Sequence, residues 1–206
     1  MTADLDALVT RARSLATCGG RRVLGIAGSP GAGKSTLVAA LLEGLGDLAV
    51  GVPMDGFHLA QKELERLDRA DRKGAPDTFD VAGYVSLLRR LRERGREPVY
   101  APTFDRVLEE PIAGSIRVDQ DVPLVITEGN YLLLDHGPWS AVRGLLEQTW
   151  FVQIPPEVRV RRLVERHVRH GREPHAAHAW VERSDEANAR LVEETRDRAD
   201  LTVVLE

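Results

Sequence analysis

The most specific chemical spacing in this 206-residue chain is Gly28-Ser29-Pro30-Gly31-Ala32-Gly33-Lys34-Ser35, followed by Thr36. Glycines let the backbone curl so that successive N–H groups face inward, a lysine supplies positive charge, and a hydroxyl follows it directly. That set suits a polyphosphate. The amides and the N-terminus of a following helix cradle phosphate oxygens, Lys34 reaches the β- and γ-phosphates, and Ser35 offers oxygen to Mg²⁺, a hard cation. Gly28 to Thr36 are therefore the expected nucleotide-binding residues, with ATP and Mg²⁺ as the expected cofactors.

Phosphate binding leaves the reaction open, and three further features address it. Val50-Gly51-Val52-Pro53-Met54-Asp55 reads as a strand ending in an acid, at the edge where α/β sheets gather ligands. Asp55 is the candidate general base for an attacking hydroxyl, and an Asp that caps the next segment is the plainer alternative. Leu124-Val125-Ile126-Thr127-Glu128 is a second apolar strand ending in an acid. Glu128 is expected to hold Mg²⁺ through water or to orient the acceptor; a plain strand-end Glu is the alternative. Finally, Arg159, Arg161, Arg162, Arg166, Arg169 and Arg172 crowd one helix and its exit. Arg162, Arg166 and Arg169 recur at i, i+4 and i+7 and share a face. Alone, such a stripe is a solvated surface. Beside a phosphate cradle the alternative gains weight: mobile guanidiniums closing from a lid, Arg169 the candidate catalytic one, would stabilise the negative charge of a phosphoryl-transfer transition state.

These groups need a scaffold that delivers them to one edge. Val23 to Ala27 is an apolar strand that leads into the glycine-rich turn, and Ser35 to Leu45 has helical spacing. Further strands are expected at Leu48 to Val52, Val122 to Thr127, Trp150 to Ile154 and Leu201 to Leu205, all short and apolar as strands buried on both faces should be. Helices are expected at Ala3 to Thr17, Leu59 to Arg69, Val81 to Arg94, Ser140 to Glu147, Glu157 to His170 and Pro174 to Glu194. Arg72 to Asp80 and Glu97 to Val118 lack helical period and read as loops or a small hairpin outside the sheet. The alternation predicts an α/β fold with a parallel central sheet.

Composition bounds the rest. A length of 206 residues at 43% hydrophobic suits one core, hence a single domain over 1–206. A net charge of −4 gives no global field for nucleic acid or an anionic membrane. No apolar run reaches the roughly 20 residues of a membrane span, and the acidic start is unlike a secretion signal, so the expected location is cytoplasmic. Cys18, the single cysteine, reads as a small, partly buried residue. His167, His170, His175 and His178 have i, i+3 spacing, but Gly171 and Pro174 interrupt the helix between the pairs, so a lid surface is preferred to a metal site. No Asn-Lys-x-Asp or Leu-Ser-Gly-Gly-Gln motif is present, which argues against a GTPase switch or a transporter ATPase. A regulatory nucleotide-binding ATPase without a small-molecule acceptor stays open as an alternative. The Leu5 to Leu15 helix could cover its own domain or a second copy in a homodimer.

After the glycine-rich loop come, in order, Met54-Asp55-Gly56-Phe57-His58, Arg72-Lys73-Gly74-Ala75-Pro76-Asp77-Thr78-Phe79-Asp80, Tyr100 to Arg106, Glu128-Gly129-Asn130-Tyr131 and the arginine helix. Together they resemble the uridine kinase, phosphoribulokinase and bacterial pantothenate kinase group, and within it short uncharacterised kinases labelled as fructose-transport-associated. The resemblance runs from about Val23 to the C-terminus. It implies a P-loop NTPase fold, a doubly wound parallel sheet flanked by helices, with a lid at approximately 157–178 to which Arg162, Arg166, Arg169 and Arg172 belong, and ATP-dependent phosphorylation of an alcohol on a sugar, sugar acid, nucleoside or pantothenate-like metabolite. It implies that Asp55 is the base, that Lys34 and Ser35 hold phosphate and Mg²⁺, and that His58, Lys73, Tyr100, Arg106, Glu128 and Asn130 face the acceptor. Ser184 to Asn188 and Thr195-Arg196 resemble a pantothenate kinase stretch that makes nucleotide or acceptor contacts. One departure concerns the substrate: where uridine and pantothenate kinases carry an acceptor-reading histidine, this chain has Ala101-Pro102-Thr103-Phe104-Asp105-Arg106. Asp105 and Arg106 then become candidates to bind a polyol or a carboxylate.

Overall fold

The computed structural model describes residues 4–93 and 95–205, so the expected helix start at Ala3 and helix end at Arg94 lie outside the described residues. The elements are α1 (Leu5–Thr17), β1 (Arg22–Gly28), α2 (Lys34–Leu45), β2 (Ala49–Gly51), α3 (Gln61–Arg66), α4 (Val81–Glu93), β3 (Val99–Asp105), β4 (Glu110–Val118), β5 (Leu124–Gly129), β6 (Gln148–Gln153), α5 (Pro156–Arg169), α6 (Pro174–Trp180), α7 (Glu186–Glu193) and β7 (Leu201–Val204). Five strands form one sheet in the order β2-β5-β1-β6-β7, and every pairing is parallel.

Why these runs are strands follows from their burial. In β1, Val23 and Ala27 pack into one core with Tyr84, Leu88 and Trp139, while Leu24 and Ile26 enter a second core with Leu8, Leu37 and Leu41. Successive residues point to opposite faces of a strand, so a run covered on both sides must be apolar throughout. With all strands parallel, their carboxyl ends share one edge. Gly28, Glu128 and the turn after β2 that carries Asp55 therefore meet there.

β3 and β4 pair antiparallel as a separate hairpin, as the segment without helical period suggested. The hairpin sits on the Asp55 turn, where a Cβ on Gly56 would collide with the Pro102 backbone. A second tie fixes that turn to the sheet: Tyr84 Oη lies 2.6 Å from Thr127 Oγ1, which donates to the Val52 carbonyl at 2.7 Å.

Some expected elements are corrected. Ser140 to Glu147 is not an α-helix; it contains parts of two 3₁₀ turns, Gly137–Ala141 and Arg143–Leu145, in a stretch punctuated by Gly137, Pro138 and Gly144. The Leu59 to Arg69 helix shortens to Gln61–Arg66 because Asp68 adopts a left-handed φ of 56°. Pro174 to Glu194 is interrupted by a π-helical turn at Val181–Asp185. Cys18 is exposed, with its thiol directed to the Ser14 carbonyl at 3.0 Å. The apolar stripe of α1 is taken up by its own chain: Leu8, Ala12, Leu15 and Ala16 are buried, and Val9 packs so closely on Gly44 that a Cβ there would sit 2.8 Å away.

Candidate active site

Between β1 and α2 the chain turns through Gly31 (φ 79°) and Gly33 (φ 94°), left-handed conformations that a side chain resists. Lys34 starts α2 and folds back over this loop. Its ammonium donates to the Gly28 carbonyl (2.8 Å), the Ser29 carbonyl (3.1 Å) and Asn130 Oδ1 (2.8 Å). Burial lowers its proton affinity below that of an ordinary lysine, against the opposing pull of Glu128 and Asp55. From behind, Ser29 Oγ donates to Glu193 Oε1 at 2.7 Å, which ties the loop to α7.

Ser35 Oγ donates to Glu128 Oε1 at 2.8 Å, so two hard oxygen donors stand together at the start of α2. Burial, reinforced by Asp55, raises the Glu128 pKa above the usual carboxylate range, while Lys34 and Ser35 oppose the shift. A carboxylate that is unfavourably charged in isolation suits a divalent cation, and the Ser35–Glu128 pair fits Mg²⁺ by donor type.

Asp55 faces the same cleft. Arg106 Nη2 reaches its Oδ2 at 2.8 Å. His58 Nδ1 donates to the Asp55 carbonyl at 2.8 Å, which fixes the tautomer, because a carbonyl only accepts. The His58 ring lies against Phe79 (4.1 Å between centroids) and Phe104 (4.8 Å), and burial pushes its pKa below that of an ordinary imidazole. Phe104 in turn carries Arg106 at 5.2 Å and Lys73 at 5.5 Å from its centroid. The loop that bears Lys73 is pinned by Tyr131 Oη donating to the Gly74 carbonyl (2.6 Å) and Trp139 Nε1 donating to the Pro76 carbonyl (3.1 Å).

α5 crosses the opposite wall. Leu163 and the Arg159 backbone lie so close to Gly31 that a Cβ there would come within 2.8 Å and 3.1 Å of them. Arg159 is buried and pairs with Glu186 at 2.5 Å; His167 Nε2 is 2.8 Å from Asp185 Oδ2; Arg172 stacks over Trp180 at 4.1 Å. Arg162, Arg166, Arg169 and Arg172 all line the resulting cleft of about 1400 Å³. Burial and the neighbouring Arg106 lower the Arg166 pKa below the usual guanidinium value.

The cleft brings together most of the residues singled out from sequence: Pro30, Gly31, Gly33, Lys34, Ser35 and Thr36 from the glycine-rich loop and the start of α2, and Asp55, His58, Lys73, Arg106, Glu128 and Asn130 from other segments. Gly28, Ser29 and Ala32 form the back of the loop. Tyr100 is not brought in: it is 52% exposed and faces out of the hairpin opposite Arg117. Asp105 is also withdrawn from ligand reading, since its Oδ1 accepts the Val107 and Leu108 amides and caps the hairpin turn. Among the described residues no group of three or more His, Cys, Asp or Glu side chains is gathered in the manner of a metal site. Gln61, Glu109 and Glu110 line the cleft without having been singled out, because their neighbours come from distant segments.

A family model for phosphoribulokinase and uridine kinase matches residues 23–205. The chain belongs to the phosphoribulokinase / uridine kinase family. Within that family's reach, a protein of Schizosaccharomyces pombe provisionally named a uridine kinase is 32% identical over 96% of this chain and 89% of its own. The uncharacterised protein YggC of Escherichia coli is 33% identical over 89% and 77%. A solved structure from Silicibacter sp. TM1040, provisionally named a fructose transport system kinase, superposes with a TM-score of 0.88 at 38% identity and covers 97% of this chain and 98% of that one. This member of the phosphoribulokinase / uridine kinase family is thus a small-molecule kinase, a phosphotransferase with an alcohol as acceptor, on a P-loop α/β fold. None of its described helices is long and apolar enough to cross a membrane.

Proposed function

We propose that this kinase moves the γ-phosphate of ATP to a hydroxyl of a polar metabolite, with Asp55 as base and residues 157–178 as lid of one kinase domain spanning 1–206. One observation carries the reading: the Asp55 carboxylate, held by Arg106, faces the same cleft as Lys34, the Ser35–Glu128 pair and the lid arginines. The acceptor O–H gives its proton to Asp55 while its oxygen bonds the γ-phosphorus. The bond from that phosphorus to the β–γ bridging oxygen breaks, and the electron pair leaves with ADP. Lys34 turns from the loop carbonyls to the transferring phosphate, and Arg162, Arg166 and Arg169 spread positive charge over its oxygens. Mg²⁺, which Ser35 and Glu128 would hold, supplies charge neutralisation on the phosphates.

Candidate acceptors are sugars, polyols, sugar acids, nucleosides and pantothenate-like alcohols, and an ATP-consumption screen across these classes tests the reading. Acceptor-stimulated ADP release that is lost in Asp55→Asn supports it. Slow ATP hydrolysis that no acceptor stimulates and Asp55→Asn leaves unchanged favours a regulatory ATPase instead.

A further inference from the structure

All three N–H groups of the Lys34 ammonium are engaged, by the Gly28 carbonyl, the Ser29 carbonyl and Asn130 Oδ1. Two of these acceptors belong to the glycine-rich loop itself and stay beside the lysine wherever the loop goes. Asn130 comes from outside the loop, just beyond β5, and lines the cleft. A lysine that is to hold a phosphate must surrender a bond, and the one it can surrender without disturbing its own loop is the 2.8 Å bond to Asn130. The next residue grips another segment. Tyr131 is buried against Phe79 and Trp139, and its hydroxyl donates to the Gly74 carbonyl at 2.6 Å. The Asn130 side chain sits beside that hydroxyl and opposes the rise that burial imposes on the Tyr131 pKa. Gly74, with a left-handed φ of 99°, directly follows Lys73. Its amide donates to Thr78 Oγ1 at 3.0 Å and its carbonyl also receives Asn188 Nδ2 at 3.5 Å, so the Tyr131 bond is the shortest of the three. A line of contacts thus runs from Lys34 through Asn130 and Tyr131 to the loop that bears Lys73.

We infer that Asn130 and Tyr131 are positioning residues that link the phosphate site to the Lys73 loop: Asn130 parks Lys34 while the nucleotide site is empty, and when a phosphate takes its place the loss of that bond passes through Tyr131 to Gly74. Parking weakens nucleotide binding, since the phosphate competes with Asn130 for the same ammonium. Asn130 Oδ1 carries no charge, so a polyphosphate displaces it; a carboxylate in that place would form an ion pair with a buried lysine. With the Lys34–Asn130 bond gone, the exit of β5 keeps fewer ties, and the loop that Tyr131 holds opens more often. The wall that carries Lys73 then yields once the nucleotide is bound, which sets an order of binding, nucleotide before acceptor. The inference rests on the proposed role of Lys34 as the phosphate lysine of a kinase.

The test needs no acceptor. It uses the purified full chain with Mg²⁺ and the β,γ-imido analogue of ATP, with calorimetric titration for affinity and hydrogen–deuterium exchange for the amides of residues 72–78. Asn130→Ala removes the competing acceptor and should bind the analogue about two- to tenfold more tightly than wild type, whereas Asn130→Asp should bind it at least about tenfold more weakly. A residue that merely supported the loop would weaken binding in both variants. In wild type the analogue should speed exchange at 72–78 by at least about threefold. That response should vanish in Asn130→Ala and in Tyr131→Phe, the latter keeping its affinity for the analogue within about twofold of wild type. A thermal melt reports that each variant is folded; should Asn130→Ala fail it, the exchange response of Tyr131→Phe decides. Binding by Asn130→Ala no tighter than wild type, exchange at 72–78 that the analogue leaves unchanged or slows in wild type, or an undiminished response in Tyr131→Phe overturns the inference. If Lys34→Ala loses the analogue while any of these results is found, the inference falls alone and the kinase reading stands; if Lys34→Ala binds the analogue as wild type does, the phosphate role of Lys34 falls and the inference with it.

Discussion

Replacing Asp55 by Asn separates catalysis from architecture. Asn keeps the shape and an oxygen acceptor for Arg106, but cannot take a proton at neutral pH. The structural loss is bounded by the Asp55–Arg106 ion pair, whose side chains are 26% and 48% exposed at 2.8 Å. A pair so wetted contributes about 0–1 kcal/mol, which for a chain of this size moves Tm by roughly 2–4 °C at most. Positioned base catalysis contributes roughly 10²- to 10⁴-fold, or about 2.7–5.4 kcal/mol at 1.36 kcal/mol per decade. The catalytic effect is therefore several times the structural one. ATP affinity should hold or improve, since a negative charge leaves the cleft that binds a polyanion. Steady-state kinetics on the acceptor found by the screen, calorimetric titration with ATP and a thermal melt together read the three quantities. Retention of more than about a tenth of wild-type kcat/KM refutes the base assignment. A melt lowered by more than about 8 °C, together with lost ATP binding, shows instead that Asp55 holds the turn together.

Gly31→Ala should destabilise the fold by about 1–3 kcal/mol and weaken ATP binding, because its φ of 79° resists a side chain and the new Cβ would meet Leu163 at 2.8 Å; a melt within about 0.5 kcal/mol of wild type contradicts the packing of α5 on the loop. Tyr84→Phe removes the hydroxyl 2.6 Å from Thr127 Oγ1 and should cost about 0.5–1.5 kcal/mol in urea melts; no loss would mean that this tie does not hold the Asp55 turn. Burial depresses the His58 pKa, so the unfolded chain binds that proton more readily, and stability should fall as pH drops below the ordinary imidazole value near 6.5. The drop in urea midpoint from pH 8 to pH 5 should be smaller in His58→Asn than in wild type, and an equal drop would exclude His58 as its source.

What the sequence disclosed follows from how local each signal is. The glycine spacing and the strand-end acids Asp55 and Glu128 were legible because a parallel sheet delivers strand ends to one edge. The arginine face was legible because helical periodicity survives without tertiary knowledge. Tyr100 was not: Val99 and Ala101 are buried while Tyr100 faces out, and the register shifts between Ala101 and Thr103, so the hairpin presents Phe104 and Arg106 to the cleft instead. Asp105 failed for a related reason, since nothing in the sequence shows which acid will cap a turn. The π-helical turn that offers Asp185 to His167 is equally silent in the helical pattern of 174–194.

The same contrast explains why the phosphate-binding side is general and the acceptor side particular. The phosphate cradle depends on backbone amides, one lysine and one hydroxyl within nine consecutive residues, Gly28 to Thr36, so any chain with that spacing can build it. The proposed acceptor wall instead draws Asp55 and His58 from the turn after β2, Gln61 from α3, Lys73 from a loop, Phe104 and Arg106 from β3 and its turn, and Glu110 from β4. Each position there can change without disturbing the cradle, provided the hairpin still seats on Gly56. Placement of the proposed lid is likewise separable from its chemistry: the Arg159–Glu186 and His167–Asp185 pairs anchor α5 to the segment around α7, while Arg162, Arg166 and Arg169 face the cleft. A change of acceptor can therefore proceed through Gln61, Lys73, Phe104 and Glu110 with the phosphoryl-transfer machinery held constant.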